Sequence, residues 1–159
     1  MGPPAVGDHA PDFTLRDQDK EPVTLSDLRG GPVMLVFFPL AFSSTCTREL
    51  CEIRDDFGAY ERRGVTVLGI SVDSTHALRA WRQDQGYRNR FLSDRWPVGA
   101  VAKLYGVWNE KDGQADRATF ILDADGVVRY AVHNPSSQAR DEAAYVAALD
   151  AMGQRRGSI

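Results

Sequence analysis

Residues 32–50 read PVMLVFFPLAFSSTCTREL, and the apolar pattern changes period partway along them. PVMLVFF is a continuous apolar run bounded by Gly31-Pro32 and Pro39, as expected of a central strand buried on both faces. From Ser44 the period becomes helical: Cys46, Leu50, Ile53, Phe57 and Tyr60 recur at spacings of four, three, four and three. They form one stripe on one face of a helix that Gly64 ends.

Working outward, VTVLGISVD (65–73) reads as a second buried strand. Ser74 or Thr75 then caps a helix running to about Gln85, with Gly86 behind it. Upstream, DFTLRDQDKEPVTLSDLRG (12–30) reads as two short strands around a polar turn, with Phe13, Leu15, Val23 and Leu25 alternating. Downstream, GAVAKLYGV is a short helix, RATFILDADGVVRYAVH a hairpin around Asp125-Gly126, and RDEAAYVAALDAM a closing amphipathic helix. The order is hairpin, strand, helix, strand, helix, hairpin, helix. Strand-helix-strand implies a parallel centre, to which the late hairpin adds antiparallel strands. The fold class is α/β: a mixed central sheet flanked by helices, with an N-terminal β-hairpin, resembling the thioredoxin fold.

With 159 residues and no repeat, linker or low-complexity segment, the expectation is a single domain spanning 1–159. The formal net charge of -3, without a basic stripe, argues against nucleic acid as a partner. The first residues lack the basic start and apolar stretch of a secretory signal. The longest apolar run, 32–42, falls well short of the roughly 20 residues that span a bilayer. The Met-Gly start lacks the Ser or Thr of a myristoylation motif, because Val6 stands there. The default compartment is therefore the cytoplasm, with no membrane partner. In that reducing setting two cysteines are free, reactive or transiently paired rather than a permanent staple.

Those cysteines, Cys46 and Cys51, both follow the strand-to-helix junction. The first turn of a helix offers unpaired N–H groups and the positive end of the helix dipole. A thiol placed there is biased towards the thiolate, its reactive form. On Cys46 alone, a small apolar residue opening the stripe is an equal reading. Ser43 alone is an ordinary helix cap and Pro39 a strand stop. Arg117 alone is a solvated charge, and Glu49 a carboxylate favoured near a helix start.

Taken jointly, Pro39, Ser43 and Cys46 reproduce the spacing of the peroxiredoxin signature, in its Ser variant. The resemblance extends over nearly the whole chain. APDFTLRD, VFFPLAF, LSD before a Trp-Pro, YGVWNE and RATFILDADG look most similar to the alkyl hydroperoxide reductase E branch. It implies a thiol-dependent peroxidase acting on hydrogen peroxide and organic hydroperoxides, with Cys46 as the attacking thiolate. The Ser43 hydroxyl and the Cys46 N–H would donate to the peroxide, and Pro39 would shield the pocket from water. The family's cation corresponds to Arg117, in an Arg-x-x-Phe context. Glu49, one turn past Cys46, would orient that guanidinium through a bidentate pair. No bound cofactor or metal is called for.

Cys51 departs from the alkyl hydroperoxide reductase E pattern, which has no resolving partner in the same helix. A second cysteine five residues on resembles the peroxiredoxin Q group, where it resolves the sulfenic acid as an intramolecular disulfide. Along a helix, five residues leave two side chains roughly 140° apart with about 7.5 Å of rise. The Cα atoms would lie about 8–9 Å apart, beyond the ~7 Å limit for bridging. Such a disulfide demands unwinding, and Ser44, Thr45 and Thr47 are poor helix formers that would permit it. The alternatives are Cys51 as packing, with an external thiol taking the sulfenic acid. Electrons would come from thioredoxin or from a mycoredoxin/low-molecular-weight thiol system.

A Cys-x-x-Cys oxidoreductase is disfavoured because Glu49 occupies the second position. A zinc site lacks ligands, since His9, His76 and His133 are scattered and each is expected to face solvent. A non-enzymatic redox sensor or chaperone is the rival from another class, distinguished by the absence of catalytic turnover. Phe42, Trp96, Tyr105 and Trp108 are expected to be partly core. In this family the segments near DRWP and VWN line the substrate mouth or a dimer contact. An apolar mouth and a homodimer are the corresponding expectations.

Overall fold

The computed structural model describes residues 3–42, 44–95, 97–134 and 142–157, with side chains described throughout these except at 44–49, 134, 142 and 153–157. The N-terminal hairpin pairs β1 (Thr14–Asp17) with β2 (Pro22–Thr24), antiparallel, and a 3-10 turn (Leu25–Leu28) follows. The apolar run forms β3 (Val33–Phe37), every residue of it buried. After it come α1 (Ser44–Asp55), α2 (Phe57–Arg62), β4 (Thr66–Ser71) and α3 (Thr75–Gln85). Then follow β5 (Arg90–Ser93), α4 (Ala100–Leu104), and the small ribbon of β6 (Trp108–Asn109) and β7 (Gln114–Ala115). The hairpin β8 (Arg117–Leu122) and β9 (Val128–Asn134) precedes the closing helix α5 (Glu142–Gly157).

The main sheet is seven-stranded, in the order β2-β1-β5-β4-β3-β8-β9. β3, β4 and β5 run parallel, while β8 lies antiparallel to β3 and β1 antiparallel to β5. This is the mixed, helix-covered sheet that the segment order predicts, with the 33–37 run near its centre. One face carries Leu35, Phe37, Leu68, Ile70 and Phe120 under α4. The other carries Met34, Val36, Phe38, Val67 and Ile121 under residues of α1, α2, α3 and α5. Apolar side chains buried to this extent contribute about 1.5–3 kcal/mol each. Trp81 of α3 anchors the second face, fully buried with ring centroids 5.4 Å from Phe38 and 5.2 Å from Phe91.

Two expectations need correction. Residues 90–93 form a third parallel strand, β5, which the pattern did not announce: only Phe91 and Leu92 are apolar there, between polar neighbours. Pairing with β4 on one side and β1 on the other makes it a strand. The helix expected to run unbroken to Gly64 divides at Asp56, whose φ of -108° and ψ of 22° leave the helical region. Asp and the nearby Gly58 favour caps and turns over helix interiors. The stripe survives the break, with Leu50, Ile53 and Tyr60 buried and Phe57 packed against them.

Ser74 caps α3 by accepting the Ala77 amide at 3.1 Å, and Gly86 closes it in the left-handed conformation. In the β8–β9 turn, the Asp123 carboxylate accepts the amides of Asp125 at 2.9 Å and Val127 at 3.1 Å. Among the described residues no helix is long and apolar enough to cross a membrane.

Candidate active site

Three elements meet where β3 ends. The β3–β4 ladder continues one residue beyond β3, with the Phe38 N–H on the Ile70 carbonyl at 3.0 Å. Pro39 follows; it is buried, and without an N–H it cannot extend the ladder. The Ala41 N–H donates to Asp73 Oδ2 at 2.8 Å, and Phe42 turns with φ +68°. α1 then begins at Ser44, which puts the Cys46 backbone in its first turn, where no acidic residue stands. Ser43 lies outside the described residues, as do the side chains of Cys46 and Glu49 and with them the expected Glu49–Arg117 pair.

Arg117 opens β8. Because β8 is antiparallel to β3, with Ala118 opposite Phe37, the start of β8 lies at the end of β3. Alternation along the strand puts Arg117 on the face of Thr119 and Ile121. That is the face α1 covers with Leu50 and Ile53, and the one where Thr119 Oγ1 meets the Tyr145 hydroxyl at 3.1 Å. The half-buried Arg117 thus leaves the sheet at the end and on the side where α1 begins. Arg117, far from Pro39 in the chain, thus opens β8 beside it at the end of β3, on the face that α1 covers.

Cys51 lies on the second half of α1, half-buried. Its Sγ is 3.9 Å from Gln85 Oε1 and 3.8 Å from the Tyr87 hydroxyl, at the end of α3. Arg54, three residues on, donates from Nη1 to the Gln85 carbonyl at 2.7 Å and lies 5.7 Å over the Tyr87 ring. Neither Gln85 nor Tyr87 was a candidate from sequence, and no local signal marks them. Asp73 carried only one: an acid directly after a buried strand.

The aromatic expectations divide. Tyr105 is wholly core, its hydroxyl donating to the Pro11 carbonyl at 2.6 Å, and burial pushes its pKa up. Trp108 is half-buried, and Trp96 lies outside the described residues. Phe42 is not core: it is 58% exposed, its ring 6.1 Å from Trp81. His133 is not a free surface histidine either, since its Nε2 stands 2.8 Å from Asp116 Oδ2. Near the LSD motif, burial pushes the Asp94 carboxyl up, although the amides of Val101 and Ala102 at the start of α4 bond to it and favour its charge.

The profile of the AhpC/TSA family matches residues 6–131. The chain belongs to that family. It is a peroxiredoxin, an oxidoreductase of the thiol-dependent peroxidase class. Among its curated relatives, alkyl hydroperoxide reductase E of Mycobacterium tuberculosis is 43% identical over 92% of this chain and 97% of that one. Peroxiredoxin Bcp of Escherichia coli is 37% identical over 82% of this chain and 86% of its own length. The crystal structure of peroxidoxin BcpB from Mycobacterium tuberculosis superposes with a TM-score of 0.85 at 30% identity, covering 94% of this peroxiredoxin and 98% of that chain. The sheet is accordingly the thioredoxin-like one, as the resemblance implied. In this peroxiredoxin both cysteines sit on one unbroken helix, α1, the wound geometry in which residues five apart are out of bridging range.

Proposed function

We propose that this peroxiredoxin reduces hydrogen peroxide and organic hydroperoxides at Cys46, and that Cys51 resolves the product. The observation that supports this is the arrangement at the end of β3. α1, with the Cys46 backbone in its first turn, follows the end of β3 and buried Pro39, and Arg117 opens β8 at that same end, on the face α1 covers.

The Cys46 thiolate attacks one peroxide oxygen, forming an S–O bond as the O–O bond breaks. The departing oxygen takes the electron pair and leaves as hydroxide or alkoxide, which a proton from solvent converts to water or an alcohol. Cys46 becomes a sulfenic acid. Charge migrates from sulfur to oxygen, so donors fixed at both ends lower the barrier. The Cys46 N–H and the Ser43 hydroxyl serve the peroxide, and the Arg117 guanidinium, oriented by Glu49, holds the moving charge. Pro39 presents a ring and no N–H, which keeps water out.

The Cys51 thiol then attacks the sulfenic sulfur, forming a disulfide and expelling water. The first turns of α1 must unwind for the two sulfurs to meet, and their serine and threonines make that inexpensive. A dithiol partner of the thioredoxin kind, or a low-molecular-weight thiol with a mycoredoxin, returns both cysteines to thiols. Where Cys51 does not act, the external thiol attacks the sulfenic acid directly. We read 1–159 as one cytoplasmic domain that assembles as a homodimer.

The test is intact mass after one equivalent of peroxide, on the parent, Cys51→Ser and Cys46→Ser. A parent two hydrogens lighter and monomeric on a denaturing gel, with Cys51→Ser gaining one oxygen, supports the whole scheme. A parent that stops at one added oxygen makes Cys51 packing. Oxidation without turnover in the presence of a reductase favours the sensor reading, and no rapid change in any form defeats the peroxidase reading.

A further inference from the structure

Past Phe38 the β3–β4 ladder stops, yet the chain must still deliver α1 to a fixed place. Ala41 is buried, and a buried N–H needs an acceptor. A side chain supplies it: Asp73 Oδ2 accepts the Ala41 N–H at 2.8 Å and the Ser71 hydroxyl at 2.6 Å. Asp73 is itself held, its N–H on Ser71 Oγ at 3.2 Å and its carbonyl accepting the Ser93 hydroxyl at 2.6 Å. Arg95 donates to the neighbouring Val72 carbonyl at 3.0 Å. Next to the tethered amide, Phe42 adopts φ +68°, a conformation unfavourable for a bulky side chain that persists only where the surroundings impose it. The tether and the strained turn are adjacent, and α1 starts two residues later.

We propose that Asp73 is a positioning residue for the peroxide reaction: its carboxylate clamps the Ala41 amide, holds residues 39–42 in a turn that Phe42 closes in the left-handed conformation, and so sets where the first turn of α1 presents Cys46. The inference rests on Cys46 being the attacking thiolate. Asp73 acts through the backbone of the loop. Because both donors converge on one oxygen, the role requires an acceptor at that point and not a charge. The side-chain oxygen of an asparagine can stand there, whereas alanine offers none.

The experiment compares Asp73→Ala and Asp73→Asn with the parent in two reactions of Cys46. One is the second-order rate of oxidation by hydrogen peroxide, followed by quenched intact mass. The other is alkylation by iodoacetamide across a pH series, which reports thiolate population and access without needing the donors of the peroxide site. The expected result is peroxide oxidation slowed about 10- to 100-fold in D73A, as for a sub-ångström to ångström misplacement, with D73N within about threefold of the parent. The alkylation profile should be unchanged in both. Should D73A fail to fold, Asp73→Glu carries the test, since it keeps the charge, moves the acceptor by one methylene, and should slow oxidation. Parent-like oxidation of D73A, or of D73E in its place, overturns the proposal, as does D73N falling as far as D73A. A parent whose Cys46 is not oxidised at all overturns the underlying reading instead, which keeps the two failures distinct.

Discussion

The Cys51 sulfur stands 3.8 Å from the Tyr87 hydroxyl, across 36 residues of chain, so the wound helix stores this thiol against the end of α3. Resolution of a Cys46 sulfenic acid requires that contact to loosen or α1 to come to it. A thiol–hydroxyl contact is weak, and removing it favours the loosened state by a few tenths of a kcal/mol. Tyr87→Phe keeps the ring packed against Trp81 at 4.9 Å and edge-to-face with Phe91 at 5.2 Å. It should leave the peroxide step unchanged and speed disulfide formation about twofold. Single-turnover mass spectrometry separates the two steps, and slower disulfide formation would show that Tyr87 assists resolution.

Arg117 is the cation of the proposed site. Arg117→Met should slow Cys46 oxidation about 100-fold, the magnitude found when a donor aimed at developing charge is lost. Arg117→Lys, which keeps the charge but not the planar fork, should fall between the two. Stopped-flow peroxide kinetics decide it. A methionine variant that reacts at the parent rate would remove Arg117 from the mechanism.

Gly69 lies in the middle of β4 for want of room. A Cβ there would sit 2.5 Å from the Phe91 ring and 3.3 Å from Phe38. Gly69→Ala should therefore destabilise the protein by about 1–3 kcal/mol through overpacking, despite alanine's lower backbone entropy cost. Denaturant unfolding reads the change, and a neutral or stabilised variant would mean that the Phe91 ring moves aside at no cost.

Asp123 makes stability depend on acid. Burial alone would raise its pKa, but the Val127 amide, the Arg129 guanidinium at 2.8 Å and the Asp125 amide together hold it below the usual carboxylate value of 3.8. A depressed folded pKa contributes stability above the unfolded value and loses it as pH falls through the folded one. Asp123→Asn should thus be less stable than the parent at pH 7, with the difference shrinking below about pH 4. Thermal melts at both pH values measure this, and a constant difference would assign the effect to geometry and not to charge.

Much of the proposed site was legible because its parts are local. A proline after an apolar run, a serine three residues before a cysteine, and a change of period from continuous to helical are all visible within one strand-to-helix junction. Arg117 was legible only through the family context, since an arginine at the start of a strand is by itself an ordinary surface charge. Gln85, Tyr87 and Asp73 were not legible: they reach Cys51 and Ala41 across 34, 36 and 32 residues, and apart from Asp73 being an acid after a buried strand nothing in their own neighbourhoods marks those contacts.

The sequence by itself determined where β3 stops, where α1 starts and which face of that helix turns inward. Periodicity, capping and proline's missing N–H act between near neighbours and need no knowledge of the rest of the chain. Only the tertiary structure decided that residues 90–93 are a strand and that a carboxylate just past β4 holds the loop ahead of Cys46. Those outcomes depend on which distant segments lie alongside. A hydrogen bond or a ladder partner supplied from elsewhere can outweigh a local preference worth less than about 1 kcal/mol.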